Sequence, residues 1–191
     1  MVHLAGKHQI TNILQVACYR QSETGAASLT CRQGAQPSRE VPFPPEVYAH
    51  FCHIRDICAI RRLAGQTRFN IEVFNEEFRH PRESYFKAVV KQVKHEMDAR
   101  FLVFLDPDTV IAPQRATLKH VTDSELKRVY GAMHEGDLLV FYQHARRRKE
   151  WKKQTRYQFA RALDVPEKRV TVFACPSLAA DVVLFAMQKR A

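Results

Sequence analysis

The run Phe101-Leu-Val-Phe-Leu105, followed at once by Asp106-Pro107-Asp108, constrains this chain more than any other segment. Five apolar residues with no polar alternation read as a strand covered on both faces, and such strands belong to parallel sheets in α/β proteins. Open α/β sheets bind ligands in the crevice beyond the carboxyl ends of their strands. Asp106 and Asp108 are therefore expected at a mouth and not in a core. Carboxylates so placed can hold a divalent metal, accept a proton or hydrogen-bond a polar substrate edge. Pro107 fixes a dihedral between them and stiffens the corner. The plain alternative is a strand-to-loop turn in which aspartate caps the next segment.

The rest of the chain supplies a compatible grammar. Apolar positions at Ile10, Ile13, Leu14, Val16 and Ala17 predict an amphipathic helix over 7–20. The Gly- and Pro-rich stretch 21–45 reads as mostly loop with one short strand at 26–31, and 46–63 as a helix with Pro44 and Pro45 at its start. Arg68 to Asn75 alternates and reads as a strand ending at Glu76 and Glu77, with Glu72 inside it. A helix is expected from Pro81 to about Met97, then the Asp-Pro-Asp strand. Thr122-Asp-Ser-Glu125 has the form of a capping box opening a helix closed by Gly131 or Gly136. A buried strand over 137–142 follows, ending at Gln143-His144; then a basic helix over about 148–163 and strands at 169–174 and 181–187. This order predicts a single α/β domain with a mostly parallel sheet and a C-terminal antiparallel hairpin, in which 1–66 is helical or irregular and 67–191 forms the sheet.

Composition speaks to partners. At 191 residues and 46% hydrophobic content the chain can bury a core without staples, while a formal charge of +10 points to an anionic partner, nucleic acid before others. No stretch is apolar enough for a membrane span and the N-terminus has no signal-peptide core, so a cytoplasmic location without membrane association is expected. The five cysteines are odd in number and scattered, which favours free thiols over disulfides. His50, Cys52, His53 and Cys58 suggest zinc at first sight, but helical spacing turns Cys52 away from the others and no structural zinc is expected.

Parallel strands would bring Glu76 and Glu77, Asp106 and Asp108, and Gln143 and His144 to one edge of the sheet. Such a set could bind metal and activate water, or hold a nucleobase and shuttle its proton. Lys119 could fold back over the site, and Lys7 and His8 are weaker candidates of the same kind. From Arg146 to Arg169 there are ten Lys or Arg against three Asp or Glu, too strong a bias for an ordinary solvated face. Arg146, Arg147, Arg148, Lys149, Lys152 and Lys153 would contact phosphates, and Trp151 and Tyr157 offer rings for stacking.

From Arg68 onward the layout resembles the second half of a class I Rossmann-like methyltransferase. In nucleic-acid-modifying members an Asp-Pro-Pro-Tyr or Asn-Pro-Pro-Tyr strand end holds the target amino group, and a reversed strand closes the sheet. Asp106-Pro107 matches the first two positions, and Asp108-Thr109 departs from the rest. Phe-Leu-Asp-Pro-Asp followed by Val-Phe-Tyr-Gln-His resembles, over about half the chain, an uncharacterised bacterial family with Asp-Pro-Asp-Asn-Gly and a later Tyr-Gln-His. Toprim nucleases and A-type glycosyltransferases also use Asp-x-Asp strand ends.

The first resemblance implies S-adenosylmethionine as cofactor and a base as substrate. Asp106, Asp108 and His144 would be catalytic, and Pro107, Gln143, Lys119 and the basic segment would hold substrate. The glycine-rich turn such enzymes place after their first strand has no Gly-x-Gly counterpart, and Gly34 is the one candidate cofactor-binding glycine. The alternatives are a magnesium- or manganese-dependent nuclease or phosphotransfer enzyme with Asp106 and Asp108 as metal ligands, and a catalytically inactive binding module. A protein partner or homo-oligomer could complete the site.

Overall fold

The computed structural model describes residues 1–18, 61, 67–95, 99–107, 110–112, 116–146, 149–174 and 180–190. The chain starts with a short helix, α1 (Val2–Lys7), and enters strand β1 (Asn12–Val16). Strand β2 (Asn70–Phe74), helix α2 (Arg82–His95) and strand β3 (Phe101–Leu105) form the next unit. Two short strands, β4 (Val110–Ile111) and β5 (His120–Val121), pair in parallel as a separate two-stranded sheet. Helix α3 (Asp123–Ala132), strand β6 (Leu138–His144), helix α4 (Trp151–Leu163), strand β7 (Thr171–Phe173) and strand β8 (Val182–Gln188) complete the described elements.

The main sheet has six strands in the order β2-β1-β3-β6-β8-β7. The first three pairings are parallel, whereas β8 runs antiparallel to both β6 and β7 and lies between them. This is a Rossmann-like, methyltransferase-type sheet, mostly parallel and closed by an antiparallel hairpin as expected. All five residues of β3 are buried, the two-sided burial its unbroken apolar run predicts.

Alternation along the strands sorts two cores. Leu14, Val16, Val103, Leu105, Leu139 and Phe141 pack with Phe86 and Val89 of α2, Leu126 and Val129 of α3 and Phe159 of α4. On the other face Ile13, Ile71, Leu102, Phe104 and Val140 pack with Leu4 and Ala5 of α1. The helix α3 begins with the expected capping box: Thr122 accepts from the Glu125 amide at 3.2 Å, and Glu125 returns a carboxylate to the Thr122 amide at 2.8 Å.

Several expectations need correction. The segment predicted as an amphipathic helix over 7–20 contains β1, in the middle of the sheet between β2 and β3. Its apolar positions satisfy a helical period, but burial on both faces of a central strand accounts for them as well, and the neighbouring strands decide the outcome. The helix opened by Thr122 continues through Gly131 to Ala132, and Gly136 instead turns the chain into β6 with a φ of +89°. Strand β6 ends at Gln143 and His144 as expected, with both residues inside the strand. The basic helix starts at Trp151, after Glu150 adopts a left-handed conformation with φ +58°. The loop, strand and cysteine–histidine cluster expected between 21 and 60, including Gly34, lie outside the described residues. No helix among the described residues is long and apolar enough to cross a membrane.

Candidate active site

The carboxyl ends of β2, β1, β3 and β6 lie along one edge, because these four strands are parallel and in register, with Val16 opposite both Phe74 and Leu105, and Leu105 opposite Phe141. Asp106 follows directly on β3, held there by its amide donating to the Val16 carbonyl at 2.9 Å. Its carboxylate accepts from Gln15 Nε2 of the adjacent strand at 3.4 Å. A carboxylate only accepts, so the Gln15 amide must present its nitrogen there, which turns Oε1 away. That oxygen is buried and has no hydrogen-bond partner, on a residue 3% exposed. Pro107 is buried beside Asp106, and Asp108 lies outside the described residues.

Two residues apart on β6, Tyr142 and His144 share the face that carries Phe104 and Gln15. Their rings meet edge to face, centroids 5.0 Å apart at 86°, and Tyr142 Oη lies 3.3 Å from His144 Nε2. The other ring nitrogen, Nδ1, is 3.5 Å from Asp181 Oδ2 at the entry to β8. Asp181 is tied down at the backbone, its carbonyl accepting from the Ala145 amide at 2.7 Å. Burial, then the negative charges of Asp106 and Asp181, push the Tyr142 hydroxyl up to about 12, so it keeps its proton through the physiological range.

Gln143 belongs to the opposite face and is 0% exposed. Its Oε1 accepts from the Ile111 amide at 3.4 Å and its Nε2 donates to the His144 carbonyl at 2.7 Å, so its amide fastens β4 to the end of β6. Arg146 continues that bracing, Nη2 donating to the Ile111 carbonyl at 2.6 Å. Lys119 sits exposed in the turn before β5, its amide donating to Thr117 Oγ1 at 3.3 Å. Lys149, Lys152 and Lys153 are exposed around the first turn of α4, while Trp151 is half-buried against the helical core. Tyr157, 58% exposed, is the one large apolar side chain left open among the described residues. Arg147 and Arg148 lie outside them.

The expected convergence of Glu76, Glu77, Asp106 and His144 on one edge is present, with a difference. Strand β1 separates the glutamates from Asp106, so the exposed Glu76 and Glu77 lie beyond the end of the strand beside β1 and not next to the aspartate. Sequence reading missed Gln15, Tyr142 and Asp181. The Tyr-x-His spacing on a strand was available as a signal for Tyr142; nothing in the sequence linked Asp181 to a histidine 37 residues earlier, since only the β6–β8 register joins them. Among the described residues no group of three His, Cys, Asp or Glu side chains could hold a metal ion.

Comparison with protein-family models and with curated proteins returns no match. Among solved structures, the chain is similar to a protein provisionally described as a methyltransferase from Thermobifida fusca YX. That likeness has a TM-score of 0.39 and 11% identity, over 98% of this chain and 76% of the other. It is also similar to a DUF574 family protein from Streptomyces avermitilis MA-4680, with a TM-score of 0.37 and 7% identity over 98% and 78% of the two chains.

Proposed function

We propose that this protein binds nucleic acid across the carboxyl edge of its sheet and methylates a base there with S-adenosylmethionine. One alignment carries the reading: the edge that bears Asp106, Tyr142 and His144 leads directly, through a short connection, into the lysine-rich first turn of α4. Lys149, Lys152 and Lys153 would hold phosphates by charge and fix the register of a strand without reading its sequence. Tyr157, on the same helix, offers a face for stacking. The overall charge of +10 acts in the same direction.

The residues at the ends of β1 and β2 fit the cofactor. Ala17 and Cys18 carry the chain out of β1 with small side chains, and Cys18 takes φ +44°, the left-handed turn that a glycine would otherwise supply. Exposed Glu76 and Glu77 follow β2, where an acidic residue would hold ribose hydroxyls. Gln15 Oε1 is a buried acceptor that wants a donor. When bound, the cofactor supplies a methyl group on a positively charged sulfur. The chain's own part is to accept a hydrogen bond from the base at Asp106, to present the Tyr142 hydroxyl beside it, and to keep both oriented through Gln15 and His144.

Calorimetric titration with S-adenosylmethionine, followed by transfer of a labelled methyl group to DNA or RNA, tests the proposal. Saturable binding and transfer that Asp106→Ala abolishes are expected. Heat with magnesium or manganese but not with S-adenosylmethionine, lost in Asp106→Ala, selects the nuclease reading instead. Retention on nucleic acid with neither ligand bound leaves a binding module and overturns methylation.

A further inference from the structure

Methylation of a base nitrogen or oxygen that carries hydrogen releases one proton, and Tyr142, His144 and Asp181 form a line suited to receive it. The Asp181 carboxylate, 3.5 Å from His144 Nδ1, has no hydrogen to give, so its charge favours the neutral ring that carries its proton on Nδ1. A neutral imidazole has one N–H; with it on Nδ1, Nε2 holds a lone pair. In that tautomer Tyr142 Oη, 3.3 Å from Nε2, is the donor in the second contact. Its remaining oxygen lone pairs are free of that bond. The parallel register ends with Leu105 opposite Phe141, and the residues that follow, Asp106 and Tyr142, lie at the same edge of the sheet. Asp106 from the end of β3 and Asp181 from the entry to β8 are the charged groups whose fields reach the hydroxyl.

We propose that Tyr142 takes the proton from the base held at Asp106, with His144 and Asp181 as positioning residues that pass it on to solvent; this rests on the base-binding reading above. The bond between the proton and the substrate atom breaks as that proton moves to Tyr142 Oη. The original O–H bond breaks toward His144 Nε2. One proton enters and the ring becomes an imidazolium whose Nδ1–H faces the Asp181 carboxylate 3.5 Å away. His144 is 41% exposed at its side chain and Asp181 68%, so water can take the proton and reset the line. The phenol thus never needs to exist as a free phenolate. That matters, because burial and two nearby carboxylates hold its proton tightly.

Nitrogen-15 spectra of the histidine rings test the arrangement without any substrate, with His144 assigned by its disappearance in His144→Gln. Neutral His144 is expected with its proton on Nδ1, the form that exposed histidines disfavour, and Asp181→Ala should return it to the Nε2–H form. An Nε2–H ring in the native chain, or a signal indifferent to Asp181→Ala, overturns the relay. In the methyl-transfer assay Tyr142→Phe should lower kcat about 100-fold or more with KM unchanged, in the range of a lost general acid–base group. An unchanged kcat removes Tyr142 from the chemistry. If no methyl transfer occurs with the native chain, the base-methylation reading has failed, and with it Tyr142's substrate, while the ring spectra still decide whether the line exists.

Discussion

Arg82 grips Glu125 at two points, Nε to Oε1 at 2.9 Å and Nη2 to Oε2 at 2.6 Å, with 15% and 9% of the two side chains exposed. The same guanidinium donates to the carbonyls of Thr117 at 2.8 Å and His120 at 2.9 Å, and the same glutamate caps the start of α3. One arginine thus joins α2, the turn before β5 and α3. Arg82→Ala leaves a buried carboxylate uncompensated and two carbonyls without a donor, a loss of about 3–5 kcal/mol. Urea unfolding should show it as a lower midpoint at unchanged slope. A loss under about 1 kcal/mol would place the pair among surface contacts.

Gly136 sits at φ +89°, and a Cβ built there comes within 2.8 Å of Arg100 Cδ. The arginine is exposed and can move, so the backbone conformation dominates the cost. Gly136→Ala should destabilise by about 1–2 kcal/mol. The next residue shows why the turn must keep its shape: buried Asp137 accepts from the amides of Phe101 at 2.9 Å and His134 at 2.7 Å, locking the starts of β3 and β6 together. Asp137→Ala strips both amides of their partner, and thermal unfolding should place it below Gly136→Ala in stability.

Alkaline unfolding reports on Tyr142. Its hydroxyl rises from 10.0 to about 12 on folding, so between those values the folded chain holds a proton that the unfolded chain has lost. Stability from this group is complete below about pH 10 and drains away as pH rises toward 12. Tyr142→Phe should flatten the stability curve across that window relative to the native protein. Asp106→Asn should shrink the effect without removing it, since burial is the larger cause. Identical curves for the native chain and Tyr142→Phe would show that the hydroxyl is not held in this environment.

Replacing Lys149, Lys152 and Lys153 together by glutamine should weaken retention on DNA and RNA at low salt. The slope of log affinity against log salt should fall by about 0.9 per lost phosphate contact on duplex DNA and about 0.7 on single strands. An unchanged slope in fluorescence titrations would remove these lysines from the proposed interface.

How much of this was legible depended on whether a local pattern had one physical solution. The run 101–105 did, because five buried apolar residues ahead of a proline corner fit a central strand and little else. Thr122 and Glu125 did, because a capping box is a contact between near neighbours. The segment around Ile13 and Val16 did not: its apolar spacing suits a helix face, and only hydrogen bonding to β2 and β3 makes it a strand, with Gln15 buried inside. Missing that strand also hid the turn at Ala17 and Cys18 where the chain leaves β1. Asp106 and His144 were visible as strand-end polar groups. The link from His144 to Asp181 was not, because it arises from antiparallel register between distant segments.

That register also sets a schedule. The sixth position of the sheet, β7, has no neighbour until β8, the later segment, slides between it and β6. A chain emerging from its N-terminus makes Tyr142 and His144 well before Asp181, and the histidine meets its aspartate only when the sheet has closed. A half-made or clipped molecule could carry its lysines and still hold an imidazole with nothing to orient it. The contact between His144 and Asp181 is thereby tied to completion of the sheet.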